Sequence, residues 1–249
     1  MKDENHRVPG NGRAAELAAV LQKAGLAGQV QVGVPLPADS SQSQRFQRVI
    51  SPLGAEEDRL DHLLRPFQGR NRGRLIELEG GLSSGRTALA YRLAAGARAR
   101  GELVGWVDLP NALDPRALRR AGVGLEGLLW VRPTRTRAAL RAAELLLRTG
   151  FALVVMDLEG AARRALEQTA VWSRLWRAVR EARSTTVLLG TNRICGSFAT
   201  LGIYTKKSCS LFDRGLFEGL EVSAIIERNR TGPTGTGYDI HLSHRLAPG

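Results

Sequence analysis

The sequence predicts an α/β fold: a mostly parallel central sheet with helices on both faces, preceded by a small helix-and-strand unit. Three observations predict it. From residue 74 to residue 189, short apolar runs alternate with Ala/Leu/Arg-rich stretches at helical spacing, the pattern of parallel strands joined by crossover helices. A small-residue loop, Gly80-Gly-Leu-Ser-Ser-Gly-Arg-Thr87, stands between one such strand and one such helix. The run Phe151-Ala-Leu-Val-Val-Met-Asp157 is continuously apolar and ends in a carboxylate, as a strand buried on both faces would when it delivers a charge to the carboxyl edge of the sheet.

In chain order, residues 1–12 are polar and glycine-bearing. Arg13 to Ala24 reads as a helix, because Leu17, Val20, Leu21 and Ala24 fall on one face. A strand-like Gln29-Val-Gln-Val32 follows, then Pro35, Pro37 and the Ser/Gln-rich Asp39 to Gln44, a linker by composition. The boundary is therefore placed at residues 45/46, between an N-terminal docking unit (1–45) and a core (46–249). Docking on its own core and docking on a neighbouring molecule are both open.

The core begins near Glu56, with a helical turn at Leu60 to Leu64 and a basic approach, Gly69 to Arg74, into the strand before the loop. Then come helix Thr87 to Arg100, strand Leu103 to Val107, helix Pro115 to Ala121, strand Leu128 to Val131, helix Arg137 to Thr149 and strand Leu153 to Met156. A helix from Leu158 to Arg180 and a strand from Thr185 to Leu189 follow. After Gly190-Thr-Asn192, the polar, basic stretch Arg193 to Leu211 reads as a long loop. Strands near Glu221 to Ile226 and Gly237 to Leu242 close the chain as a hairpin with a wide turn.

The chemistry of the glycine loop is specific. Gly80 and Gly85 bracket four residues, so successive N–H groups can turn inward, and the following helix adds its N-terminal dipole. That makes a cradle for phosphate oxygens. The full signature also wants a lysine on the phosphates and a hydroxyl on magnesium. Thr87 supplies the hydroxyl, but Arg86 stands in the lysine's place, and its bulkier planar fork meets phosphate differently. An ordinary strand-to-helix turn uses similar small residues for backbone reasons alone. Asp157 has two readings as well, a holder of magnesium's hydration shell or the N-cap of the next helix.

Of the ionisable residues, 36 are Lys or Arg and 24 Asp or Glu, a net charge of +12, and the only lysines are Lys2, Lys23, Lys206 and Lys207. Such a field suits nucleic acid or an acidic protein partner, or simply solubility. Arg193, Lys206 and Lys207 in the long segment would reach a nucleic-acid backbone, or belong to a solvated connection. Cys195 and Cys209 form no CxxC pair, which supports neither a disulfide framework nor zinc and makes the cytosol the natural compartment. No apolar run approaches the roughly 20 residues of a membrane span. Trp172, Leu175, Trp176 and Val179 share a helix face that is either core or a partner anchor. His241 and His244 fall on opposite faces of a strand, which argues against a metal.

Leu60-Asp61, Arg72-Gly-Arg74, Glu77 to Thr87, Trp106-Val-Asp-Leu-Pro-Asn-Ala-Leu-Asp-Pro115, Gly122-Val-Gly-Leu-Glu-Gly-Leu-Leu129 and Val155-Met-Asp157 together resemble the core of the RecA recombinase family, over residues 56 to 245. The resemblance implies a RecA-like P-loop core that lacks the C-terminal DNA-gathering domain. It implies ATP or ADP with magnesium, held by Gly80, Ser84, Gly85, Arg86, Thr87, Asp157 and Asn192, with Thr87 and Asp157 at the metal; failing that, no cofactor. It places nucleic-acid or partner contacts at Arg193, Lys206, Lys207, Arg228 and Arg230. The departures are equally informative. Pro110 stands where the family has its water-activating glutamate, Asn192 where it has a phosphate-sensing glutamine, and both DNA-binding loops are short. No residue is assigned a catalytic role.

A reduced RecA relative of this size is similar to the ImuA subfamily, accessory proteins of SOS-type mutagenic translesion synthesis, and Glu227 to Gly235 resembles that subfamily's ending. The implied partners are an ImuB-like inactive Y-family polymerase relative, an error-prone replicative-type polymerase, RecA itself, and DNA through the basic surface, with no membrane. The implied place is the bacterial cytoplasm, at the nucleoid when active. Two other readings remain: a DNA-dependent ATPase that exchanges strands, and a modulator of recombinase filaments acting through Arg13 to Val32.

Overall fold

The computed structural model describes residues 28–32 and 73–243, together with Ala19, Gln22 and Leu64. The expected helix at Arg13 to Ala24, the linker at Asp39 to Gln44, the turn at Leu60 to Leu64 and His244 otherwise lie outside the described residues.

The strands are β1 (Val30–Val32), β2 (Arg74–Glu79), β3 (Val104–Asp108), β4 (Leu128–Val131), β5 (Leu153–Asp157), β6 (Thr185–Gly190), β7 (Leu201–Asp213), β8 (Leu216–Asn229) and β9 (Gly237–Ser243). They form one sheet in the order β1-β4-β3-β5-β6-β2-β7-β8-β9. From β4 to β7 all neighbours are parallel, while β1 on β4, β8 on β7 and β9 on β8 are antiparallel. The expected mostly parallel α/β sheet is therefore present. Strand β1 pairs with β4 of its own core, with Val30 opposite Val131.

Helices α1 (Arg86–Ala99), α2 (Pro115–Arg120), α3 (Thr136–Arg148), α4 (Arg163–Leu166) and α5 (Thr169–Glu181) fill the connections. They divide the core into two layers. Leu89, Leu93 and Leu118 pack on one face against Ile76, Leu78, Trp106 and Val155. Leu140, Leu146, Trp172 and Leu175 pack on the other against Leu75, Val107, Val154 and Met156. Alternate residues of β2 thus serve opposite layers, as a strand's period of two requires. Helix α2 starts where its sequence says it should, with Pro115 at its first turn and the Asp114 carboxylate accepting from Arg116 N at 2.8 Å.

Two expectations need correction. A single helix from Leu158 to Arg180 does not form. Asp157 accepts from Glu159 N in a tight turn at 3.1 Å, and Gly160 takes a left-handed φ of 71° that no helix can include. Gln168 is then extended between α4 and α5, and Trp172 Nε1 donates to Leu166 O at 2.6 Å to fasten the two pieces. The stretch Arg193 to Leu211 is not a long loop either. After a 3₁₀ turn at Gly196–Phe198 it becomes β7, because Leu201, Ile203 and Thr205 alternate inward and β8 supplies a full antiparallel partner. The outer half, from Lys206 onward, projects beyond β2 as an arm of β7, β8 and β9 that narrows to two strands only past Leu211 and Gly219. It closes at Arg214-Gly215, both at positive φ, and carries exposed Phe212, Leu216 and Phe217 at its tip.

The tryptophan face of α5 is core. Trp172 is buried against Leu175 and Val179, whereas Trp176 is only partly buried, under the Arg180 guanidinium. Trp172→Ala should cost about 3–5 kcal/mol of unfolding free energy, against roughly 1–2 kcal/mol for Trp176→Ala. Urea denaturation of the two variants measures the difference.

Candidate functional site

Parallel register lines up the carboxyl ends of four strands. Asp108 is opposite Asp157, Asp157 opposite Leu189, and Gly190 opposite Glu79. The loops after β2, β5 and β6 therefore emerge side by side, at the edge where open α/β sheets bind ligands.

The loop after β2 is tightly seated. A side chain at Gly80 would collide with Ser84 Oγ at 2.4 Å and Thr205 O at 2.5 Å; one at Gly85, whose φ is 88°, would meet Leu242 and Val222 at 2.8 Å. Ser84 is buried with its hydroxyl 2.9 Å from Thr205 Oγ1, which in turn donates to Glu79 O at 2.8 Å. Strand β7 thus holds the loop against β2. Leu82 caps it, 89% exposed. Beside the loop runs a cleft of about 330 Å³, walled by Leu82, Tyr91, Phe217, Leu220 and Leu242. Burial pushes the Tyr91 phenol up to about 12.

Arg86 is the centre of the arrangement. It is 7% exposed, and its guanidinium turns into the chain. One nitrogen donates to Gly80 O and, at 3.3 Å, to Thr191 Oγ1; the other donates to Glu159 Oε2 at 2.8 Å. Thr191 Oγ1 donates to the same Glu159 oxygen at 2.7 Å. Three loops meet in one closed polar cluster. The Thr191 hydrogen bond, followed by the pairing with Arg86, holds the Glu159 carboxyl below its ordinary range.

Of the residues expected from sequence, Gly80, Ser84, Gly85, Arg86 and Thr87 lie together at the loop, and Asp157 lies one strand beyond β6. Asp157 is 8% exposed, and burial raises its carboxyl above the usual carboxylate value. Asn192 is exposed and next in sequence to Thr191. Pro110 is exposed in a turn built around the fully buried Asp108, whose carboxylate accepts from Ala112 N, Leu113 N and Trp130 Nε1, each at 3.0 Å. The basic residues do not converge on the loop. Lys206 and Lys207 are exposed on the arm. Arg228 donates to Ala199 O at 2.8 Å and Ser197 O at 3.2 Å, and Arg230 to Ser197 O, so both satisfy carbonyls of the 3₁₀ turn in their own chain.

A magnesium nucleotide does not fit the donor set as arranged. The loop's cation is spent on a carboxylate and a carbonyl of this chain, and position 110 offers no acid to orient an attacking water.

Sequence reasoning missed Glu159, Thr191 and Thr205, and also a second acidic pair. Glu77 and Glu79 share the β2 face under residues 191–199. Glu77 Oε1 accepts from Ile194 N and, at 2.8 Å, from Cys195 N. Glu79 is 7% exposed, its Oε1 carries no hydrogen bond, and Arg193 Nε stands 3.6 Å away. The available signal was Glu-Leu-Glu in a strand buried on both faces, since two acids on one side of a central strand need partners.

A strand-loop-helix with a glycine cradle on an open parallel sheet defines a phosphate-loop α/β core. The particular kind follows from comparison. The family description "RecA N-terminal domain" matches residues 48–167. The RecA protein of Chelativorans sp. (strain BNC1) is 41% identical over 88 residues, 35% of this chain and 24% of that protein. RecA of Frankia casuarinae is 39% identical over 90 residues, 36% of this chain and 26% of that protein, and RecA of Clostridium botulinum (strain Eklund 17B / Type B) is 39% identical over 88 residues, 35% and 25%. The core is RecA-like, and the matched region spans about a quarter of the length of these curated relatives.

Burial, then the neighbouring charge of Glu77, pushes the Glu79 carboxyl up to about 7, against Arg193, which pulls it down. A raised carboxyl favours the protonated folded state. Its contribution is complete below the ordinary value of 4.5 and is lost as pH rises from there through about 7. Glu79→Gln should therefore be more stable than the parent at pH 8 by on the order of 2 kcal/mol and nearly equal at pH 4. Guanidinium denaturation at the two pH values reads the difference; equal stabilities at pH 8 would refute it.

Proposed function

We propose that this protein is a RecA-like accessory factor of DNA damage tolerance that acts by binding and scaffolding, not by nucleotide turnover. The observation that carries the reading is the Arg86 guanidinium, buried in the loop and committed to Gly80 O, Thr191 and Glu159. Efficient phosphoryl transfer needs a free cation on the phosphates and a base for water; here the first is engaged and Pro110 stands at the second. The finer reading is an ImuA-like role in mutagenic translesion synthesis. An ImuB-like inactive Y-family polymerase relative and an error-prone replicative-type polymerase are the partners, and the N-terminal unit (residues 1–45) is a docking element. Its support is the similarity of residues 48–167 to the RecA N-terminal domain, together with the motif wording in sequence.

DNA contact falls first to the exposed Lys206 and Lys207, because Arg228 and Arg230 are engaged in the chain and Arg193, though exposed, faces Glu79.

Purified protein titrated with ATP and magnesium should turn over at least about 100-fold more slowly than an active recombinase, with no stimulation by single-stranded DNA, the loss expected when essential electrostatic groups of a phosphoryl-transfer site are gone. Recombinase-like turnover would refute the reading. The partner assignment is checked by affinity purification from DNA-damaged cells, where an inactive Y-family polymerase relative should co-purify.

A further inference from the structure

We propose that Glu159 is a specificity-determining residue: its carboxylate serves as an intramolecular ligand for the phosphate loop, taking the anion position on Arg86 and Thr191 and so excluding phosphate compounds. The inference rests on the reading of the loop as a non-hydrolysing cradle and adds what occupies it.

The geometry is that of a filled anion site. A single oxygen, Glu159 Oε2, receives the Arg86 guanidinium at 2.8 Å and the Thr191 hydroxyl at 2.7 Å. Those donors come from the first residue of α1, at the end of the glycine loop, and from the residue just past the neighbouring strand β6. The carboxylate brings one negative charge to the one positive charge of the loop. Thr191 closes the cluster by accepting from Arg86 as well, so each member satisfies the other two.

Entry of a phosphate group would have to break this triangle. Arg86 would need to leave Glu159, stranding a carboxylate beside the incoming anion, and like charges at such range repel strongly in a partly buried place. Glu159 can do this because the turn after Asp157, fixed by Asp157 Oδ1 on Glu159 N, points its side chain toward β6 and β2.

Inorganic pyrophosphate, with magnesium, is the probe. Isothermal titration should be run on the full wild-type chain, Glu159→Gln and Glu159→Ala, with the fold of each verified by circular dichroism and thermal unfolding. The expected result is at least tenfold tighter binding by Glu159→Gln than by wild type, with the gain erased when Arg86→Gln is added. Folded Glu159 variants that bind no more tightly than wild type would overturn the proposal, as would a gain that survives Arg86→Gln. Turnover is not read in this titration, so a hydrolysing wild-type chain would refute the accessory reading while the comparison of affinities is decided separately.

Discussion

A guanidinium buried at the edge of a sheet has to be neutralised, because an isolated charge out of water costs several kcal/mol. Arg86 imposes that demand at 7% exposure, and the chain answers it with Glu159 and Thr191 from two other loops. Those loops are available only because β5, β6 and β2 are consecutive neighbours in parallel register. The local chemistry of one residue and the order of the sheet are therefore linked: a different strand order would leave Arg86 without its anion.

The second polar centre lies next door and is built less favourably. Glu77 is fully engaged on one oxygen, donating order to Ile194 and Cys195 by accepting their N–H groups, while its Oε2 and Glu79 Oε1 carry no hydrogen bond. Arg193 pairs with Glu79 at 3.6 Å without hydrogen-bonding it. Buried acids with incomplete partners lie beneath residues 191–199, and Glu79 among them changes charge near neutrality, in contrast to the closed Arg86 triangle beside them. Cys195, whose thiol is pushed up by burial and by Glu77, is chemically quiet in the same place.

Much of this architecture was legible in sequence, and the failures have definite causes. Continuous apolar runs such as Leu153–Met156 declared buried parallel strands, and Asp114-Pro115 marked a helix start. The helix proposed from Leu158 failed because Gly160 needs a left-handed backbone, a fact invisible to apolar periodicity. Strand β7 was hidden because its outer half, from Lys206 to Ser210, is polar and is held by pairing with β8, a long-range partner that local pattern cannot report. At the site, the loop and Asp157 could be read from motif wording. Glu159 and Thr191 could not, because their meaning arises only when three loops separated by up to 105 residues meet at Arg86.

The position of β2 in the sheet also governs how the chain can assemble. Its two neighbours are β6 and β7, with Arg74 opposite Thr185 and Ile76 opposite Leu201, more than 100 residues later in sequence. Closing such a loop is entropically costly and slows folding. During synthesis at about 5–20 residues per second, β2 waits on the order of 5–20 s for its first partner strand. Through that interval Leu75, Ile76 and Leu78, all fully buried in the finished fold, have nothing in the sheet to cover them. The central strand that organises the native structure is thus the part of the nascent chain most in need of shelter.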